Sequence, residues 1–327
     1  MWDDGVLGGS CAAGWSGAQV VTGESRGGAE GEERPKGPPL GAHLSVAGGV
    51  WRAVERAVDL GCGALQIFTQ APGRWRGAPI GDEAAGRFRD AAREAGLEGM
   101  CFAHAPYLIN VAAPDDGLWE RSVALLADQL ERARRLGLAG VVLHPGAHTG
   151  SGVEAGIRRS AEGIARALDR VPEAPPVLVE VTAGQGTVLG RSMEELGAIL
   201  RELPGERMGI CWDTAHLWGA GHDIATAEGW EGVWRDLKAQ TPFEVPHLIH
   251  LNDTNVELGS RKDRHERIGH GVLGATAFAR IVRDPRLATT PMVLETPKGD
   301  DDSWDREALE LLRRLAAGEG VPEGGPC

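Results

Sequence analysis

The chain predicts an α/β fold, a single-domain parallel (β/α)8 barrel, on three observations. Short apolar runs alternate eight times with amphipathic stretches between residues 41 and 317. The apolar runs lack strict polar alternation, as expected of strands buried on both faces. Six of them carry a histidine or a carboxylate at or near their end, at a beat of roughly 35–45 residues, the length of one strand, one helix and their loops in a barrel of ~250 residues. A doubly wound open sheet is the runner-up. It gives less reason to place such side chains after nearly every strand.

Residues 1–40 are rich in Gly, Ser and Glu, end in Pro35-Lys36-Gly37-Pro38-Pro39, and predict a disordered tail. Strands are expected at 41–46, 64–69, 99–104, 140–144, 176–181, 208–213, 247–252 and 291–296. Val50, Ala53, Val54, Ala57 and Val58 follow i, i+3, i+4, i+7, i+8 spacing and predict the first helix. Further helical patterns cover 82–95, 118–136, 153–170, 226–239, 274–283 and 303–316. Ser192 followed by Glu195 forms a capping-box start for a helix reaching Leu203. Residues 318–327 read as a frayed end, so the barrel domain spans 41–317.

Composition narrows the function classes. No apolar run approaches the ~20 residues of a membrane span. The N-terminus has no basic region leading into an apolar core, so a cytoplasmic location is expected. Five scattered cysteines without a CxxC pair fit reduced thiols, with Cys62, Cys101 and Cys211 in apolar stretches. Of the net charge of −13, residues 1–40 carry −3 and residues 299–327 carry −5, leaving −5 on the stretch between them. Three divalent ions would offset that value, so the acidity is compatible with a nucleic-acid substrate without arguing for one.

The six strand-end residues are His104, His144, Glu180, Asp213, His250 and Glu295, followed in nearby loops by His216, Asp263 and His265. Singly, each has an ordinary structural reading, a hydrogen-bonded core histidine or a helix N-cap. Six together at one barrel mouth would bury carboxylates that are costly unless paired or metal-bound. Asp213 and His216 offer two ligands from a strand end into its loop, and Asp263 and His265 alternate on one side of an extended segment. His and carboxylate ligands without Cys suit catalytic Zn²⁺, with Mn²⁺ or Fe²⁺ as alternatives. A shared carboxylate would set two ions ~3.5–4 Å apart, the arrangement for in-line phosphoester hydrolysis. The run Ala183-Gly184-Gln185-Gly186 matches neither dinucleotide nor P-loop spacing and reads as a tight loop.

These residues lie in nine ordered motifs: GAHLSVAGG (41–49), QIF (66–68), HAPYLIN (104–110), HPGAH (144–148), EVTAGQGT (180–187), DTAH (213–216), HLND (250–253), DRH (263–265, with Ile268-Gly269) and LETP (294–297). Across about 40–297 the chain thereby resembles the endonuclease IV family of apurinic/apyrimidinic endonucleases. The resemblance implies a TIM barrel holding three zinc ions, with Mn²⁺ an alternative at one site. The first would be held by His104, His144 and Glu180. The second would be held by Glu180, Asp213, His250 and Glu295, and the third by His216, Asp263 and His265. Glu180 would bridge, and Glu180 and Glu295 would serve catalysis. The implied reaction is hydrolysis of the phosphodiester 5′ to an abasic site, leaving a 3′-hydroxyl and a 5′-deoxyribose phosphate, with trimming of blocked 3′ ends. The implied partner is double-stranded DNA bearing such lesions, contacted by Tyr107 and Leu108 as a wedge into the helix; a monomer is expected.

The chain departs from the family pattern in three places. Gly73 stands where the loop after the QIF strand usually carries an arginine, with Arg74 and Arg76 nearby. Val181 replaces an asparagine and His222 an aromatic. Arg264, with Arg261, Lys262 and Arg267, forms a basic cluster suited to phosphate. His43, His148 and His270 read equally as orienting donors or as ordinary core and surface histidines. Trp51, Trp119, Trp230 and Trp234 sit at helical positions suited to packing. Two other functions compete, a divalent-metal sugar-phosphate isomerase or epimerase and a catalytically silent barrel. The third ligand group argues against the first, and intact ligands at all nine positions argue against the second.

Overall fold

The computed structural model describes residues 37–203, 205–299 and 301–319. The predicted tail therefore lies outside the described residues up to Lys36, and the predicted frayed end from residue 320 onward.

Eight parallel strands close into a barrel in sequence order. They are β1 (Leu40–His43), β2 (Ala64–Ile67), β3 (Cys101–His104), β4 (Gly140–Leu143), β5 (Val177–Glu180), β6 (Met208–Asp213), β7 (Leu248–Leu251) and β8 (Met292–Leu294). The outer layer comprises α1 (Trp51–Asp59), α2 (Asp82–Glu94), α3 (Asp116–Leu136), α4 (Val153–Arg170), α5 (Met193–Arg201), α6 (Thr214–Ala220), α7 (Ala227–Gln240), α8 (Gly274–Val282) and α9 (Ser303–Ala317). Among the described residues, no helix is long and apolar enough to cross a membrane.

Period-two alternation divides each strand between two cores. One set of side chains, including Leu65, Ala103, Val141, Val179, Trp212, Ile249 and Leu294, packs against the helices. The other set forms a separate apolar cluster of Ala64, Phe102, Val142, Leu178, Cys211, Leu248 and Val293, one from each of seven strands. Those residues fill the lumen. Two residues further along the same strands stand Gln66, His104, His144, Glu180, Asp213, His250 and Glu295. On β1, Gly41 and His43 occupy the matching positions. The lumen thus changes from hydrocarbon to polar in one step of the pleat, at the C-terminal face where barrel active sites lie.

Helix boundaries follow local chemistry. Ser192 caps α5 by accepting from Glu195 N, while Glu195 Oε2 accepts from Gly190 N at 2.8 Å rather than closing a full capping box. Asp115 caps α3 at its start, and Gly137 ends it in the left-handed conformation. Trp212, Trp230 and Trp234 pack edge to face behind β6, as their helical spacing suggested for the last two.

β1 and β2 approach so closely that a Cβ at Gly41 would lie 1.8 Å from Ala64 O. Gly41→Ala is expected to lower stability by about 3 kcal/mol, the upper range for overpacking. Urea unfolding measures this; an unchanged midpoint would contradict the close approach.

Candidate metal centre

Glu180 ends β5 at the centre of the barrel mouth and is fully buried. Its Oε2 lies 3.2 Å from His104 Nε2 and 3.0 Å from His144 Nε2. Its Oε1 lies 3.0 Å from His250 Nδ1 and 3.2 Å from His216 Nδ1. Each carboxylate oxygen therefore faces two imidazoles. Three groups of donor atoms arise, each with members within 4.8 Å of one another: His104, His144 and Glu180; Glu180, Asp213, His250 and Glu295; and Asp213, His216 and His265. Asp263 Oδ1 lies 3.3 Å from both His216 Nε2 and His265 Nε2. All nine candidate ligands are thus gathered at one site. Asp213, placed only in the second group by resemblance, also reaches the third.

His216 is positioned differently from the expectation of a loop. It lies in the first turn of α6, whose N-cap is Asp213: Asp213 Oδ1 accepts from His216 N at 2.8 Å. One carboxylate therefore starts the helix and joins the ligand set. The C-terminal carbonyls of α6 hold the loop carrying the remaining ligands, with Gly259 N donating to Trp218 O and Arg261 N to Gly219 O.

That loop is pinned from below by Asp253. Its carboxylate accepts from the backbone N–H groups of Thr254, Gly269, Gly271, Leu273 and Gly274 at 2.8–3.3 Å. A Cβ at Gly271 would lie 2.4 Å from Asp253 Oδ1, so the backbone approaches the carboxylate only because the residue is glycine. Neither Asp253 nor Gln66 figured among the sequence candidates, although the HLND motif contains one and the period-two pattern marks the other. Gln66 Nε2 donates to Glu295 Oε1 at 2.5 Å and lies 3.0 Å from His43 Nδ1. His43 is half-buried with its Nδ1 3.1 Å from Glu295 Oε1, which favours its orienting role. His148 instead accepts from Gly150 N and Gly152 N through Nδ1, a local loop contact, and His270 is exposed.

The electrostatics call for cations. Among the described residues, the ion pairs of Glu180, Asp213 and Glu295 are all with imidazoles. Burial opposes charge on Glu180, but His144, His250 and His104 hold its pKa well below the usual carboxylate range. Burial likewise opposes charge on His216, yet Asp213, Asp263 and Glu180 raise its pKa well above the ordinary imidazole value. Asp263 falls to about 2 because His216, with His265 and His144, outweighs its burial. His265 Nε2 is buried beside Asp213 and Asp263 yet has no hydrogen-bond partner, as a metal-facing nitrogen would. The donor set therefore fits divalent metal ions bound through nitrogen and oxygen. Burial pushes the Cys211 thiol up to about 12, so the nearest sulfur is not an available thiolate.

Tyr107 is 66% exposed at the rim, with its ring 5.6 Å from His104 and 6.1 Å from His144, and Leu108 is half-buried beside it. The loop after β2 exposes Gly73, Arg74 and Arg76. It is anchored by the buried Arg132 of α3, which donates to Thr69 O, Gly77 O and Ala78 O. Arg264 is exposed and donates to Asp263 O. Asp253→Ala is expected to release the 254–274 loop, costing at least about 3 kcal/mol. It should remove metal held through Asp263 and His265 while leaving that at His104, His144 and Glu180. Metal analysis after dialysis distinguishes this selective loss from full retention, which would contradict it.

A family model described as a xylose isomerase-like TIM barrel matches residues 54–315. The chain is 45% identical over 279 residues to the probable endonuclease 4 of Trichlorobacter lovleyi, covering 84% of this chain and 99% of that protein. The crystal structure of endonuclease IV from Thermus thermophilus matches with a TM-score of 0.77 at 37% identity, over 86% of this chain and 100% of that one. A D-tagatose 3-epimerase-like protein matches with a TM-score of 0.64 at 17% identity, over 86% and 99% of the two chains, a likeness of fold alone. With the sequence match extending over nearly the whole of the Trichlorobacter protein, the chain belongs to the endonuclease IV family within the xylose isomerase-like TIM barrels.

Proposed function

We propose that this barrel is a DNA-repair hydrolase that cleaves the phosphodiester 5′ to abasic sites and holds three zinc ions in its three donor groups. The observation that carries the metal assignment is Glu180, whose Oε2 faces the Nε2 atoms of His104 and His144 while its Oε1 faces His250 Nδ1, as a carboxylate shared between ions would. His104, His144 and Glu180 would hold the first ion; Glu180, Asp213, His250 and Glu295 the second; and His216, Asp263 and His265, with Asp213 at the boundary, the third. Mn²⁺ is the alternative occupant at one site. Such ions supply Lewis acidity to a phosphoryl group and a nucleophile at neutral pH.

The chain's own residues do the rest. Glu180 and Glu295 are held by several imidazoles and by Gln66, so their oxygens need not reorganise during reaction. Asn252 donates to Asp213 Oδ2 at 2.6 Å and accepts from Glu295 N at 3.0 Å, fixing two ligands relative to one another. Tyr107 and Leu108 would enter the duplex where a base is missing, an aromatic and an aliphatic wedge offsetting lost stacking. Arg74 and Arg264 would contact phosphates. Blocked 3′ ends present the same phosphoester chemistry. A cytoplasmic monomer suits an enzyme that must embrace bent DNA. The barrel-domain limits, 41–317, belong to the same proposal, although β1 starts one residue earlier, at Leu40.

Cleavage of a labelled duplex with one abasic-site analogue tests this reading. Incision 5′ to the lesion, abolished by prolonged chelation and restored by zinc, is expected. A folded, metal-loaded protein that leaves the duplex intact would overturn it. Glu180→Gln should retain the fold and lose about 10³-fold in kcat, several kcal/mol of transition-state stabilisation; near-wild-type turnover would contradict the bridging role. Nothing lies within 4 Å of a Cβ built at Gly73. Gly73→Arg should therefore leave stability unchanged, tighten binding to abasic duplex and steepen its salt dependence by about one unit. An unchanged slope would show that the loop does not touch DNA.

A further inference from the structure

We infer that Gln66 is a positioning residue that fixes the tautomer and ring orientation of His250 while clamping Glu295, and so sets the affinity of one metal ion. The inference rests on the metal-centre reading above. Gln66 is fully buried on β2, at the inward position above Ala64. Its carboxamide Nε2 donates to Glu295 Oε1 at 2.5 Å. A carboxylate only accepts, so the amide nitrogen must face it. The amide oxygen is thereby turned to His250, and His250 Nε2 donates to Gln66 Oε1 at 2.9 Å. With its proton on Nε2, His250 presents an unprotonated Nδ1, which lies 3.0 Å from Glu180 Oε1 and 3.1 Å from Glu295 Oε2.

Three other histidines of the site are held the opposite way round. His104 Nδ1 donates to Ala105 O at 2.7 Å, His216 Nδ1 to Val181 O at 2.9 Å and His265 Nδ1 to Glu295 O at 3.2 Å. Each is fixed by a backbone carbonyl and presents Nε2. Among these four, His250 is the one whose polarity no backbone carbonyl fixes, so one substitution can release it. Without the amide, a buried Nε2–H would lose its acceptor and Glu295 would lose a donor. Outer-shell partners of this kind typically govern metal affinity by about 10–100-fold.

The test combines imidazole nitrogen NMR of the zinc-loaded protein with zinc competition against a chelator. In the unaltered protein, three equivalents of zinc and a proton on His250 Nε2 are expected, with His104, His216 and His265 protonated on Nδ1. Gln66→Met, matched in length and apolar, should weaken one of the three equivalents by about 10–100-fold and lose the His250 signature. Gln66→Glu keeps an acceptor toward His250 and should retain that signature. Three equivalents at unchanged affinity in folded Gln66→Met would overturn this inference alone, as would a proton on His250 Nδ1 in the unaltered protein. Should Gln66→Met not fold, the unaltered protein and Gln66→Glu decide the matter. An unaltered protein that binds no zinc would instead overturn the metal-centre reading, and this inference with it.

Discussion

The burial of Glu180 and Asp213 in the lumen, with only imidazoles as ion-pair partners among the described residues, is the constraint on which the site depends. Two uncompensated carboxylates at such depth would cost several kcal/mol each. The structure answers by placing histidines at the matching inward positions of β3 and β7, immediately after β4, and on the first turn of α6. It also leaves His265 Nε2 without a hydrogen bond among them. The apolar floor of Phe102, Val142, Leu178, Cys211, Leu248 and Val293 lies one pleat below and excludes water from that side. Low polarity beneath and dense charge above strengthen each other, because electrostatic interactions grow as the local dielectric falls.

Strand ends alone do not complete the site. His216, Asp263 and His265 come from a short helix and a long loop, elements that would otherwise have little to fix them. The links are physical and specific. Asp213 caps α6, α6 carbonyls bind the loop at Gly259 and Arg261, and Asp253 gathers the amides at the loop's far end. Arg132 performs a comparable task for the loop after β2, so the exposed Arg74 and Arg76 stand on an anchored backbone. Rigidity at the rim is thus built from buried charges that each hold several backbone groups.

Much of this was legible in the residues. Eight buried-strand patterns and the beat of histidines and carboxylates yield the barrel and its functional face, because period-two alternation and strand order dictate where side chains go. The nine candidate ligands lie close together at the barrel mouth. Other features were harder to see. The segment Thr214–Ala220 is too short to show helical periodicity, and its cap, Asp213, looks like a ligand, so α6 reads as loop. Gln66 carries no charge and resembles any polar residue until the inward register of β2 is aligned with Ala64 below it. Asp253 and Arg132 bond to backbone groups distant in sequence, which no local pattern records. Asp213 reaches both its neighbouring groups because it caps α6 three residues before His216 while the long loop returns His265 Nε2 to 3.7 Å from its Oδ2, and only the first of these is a matter of spacing.

Metal K-edge X-ray absorption of the metal-replete protein tests the central claim most directly, that Glu180 stands between two ions. A nitrogen and oxygen shell, with a metal–metal vector at about 3.5–4 Å, is the predicted result. A spectrum with no metal–metal scattering, or with a sulfur shell near about 2.3 Å, would contradict it.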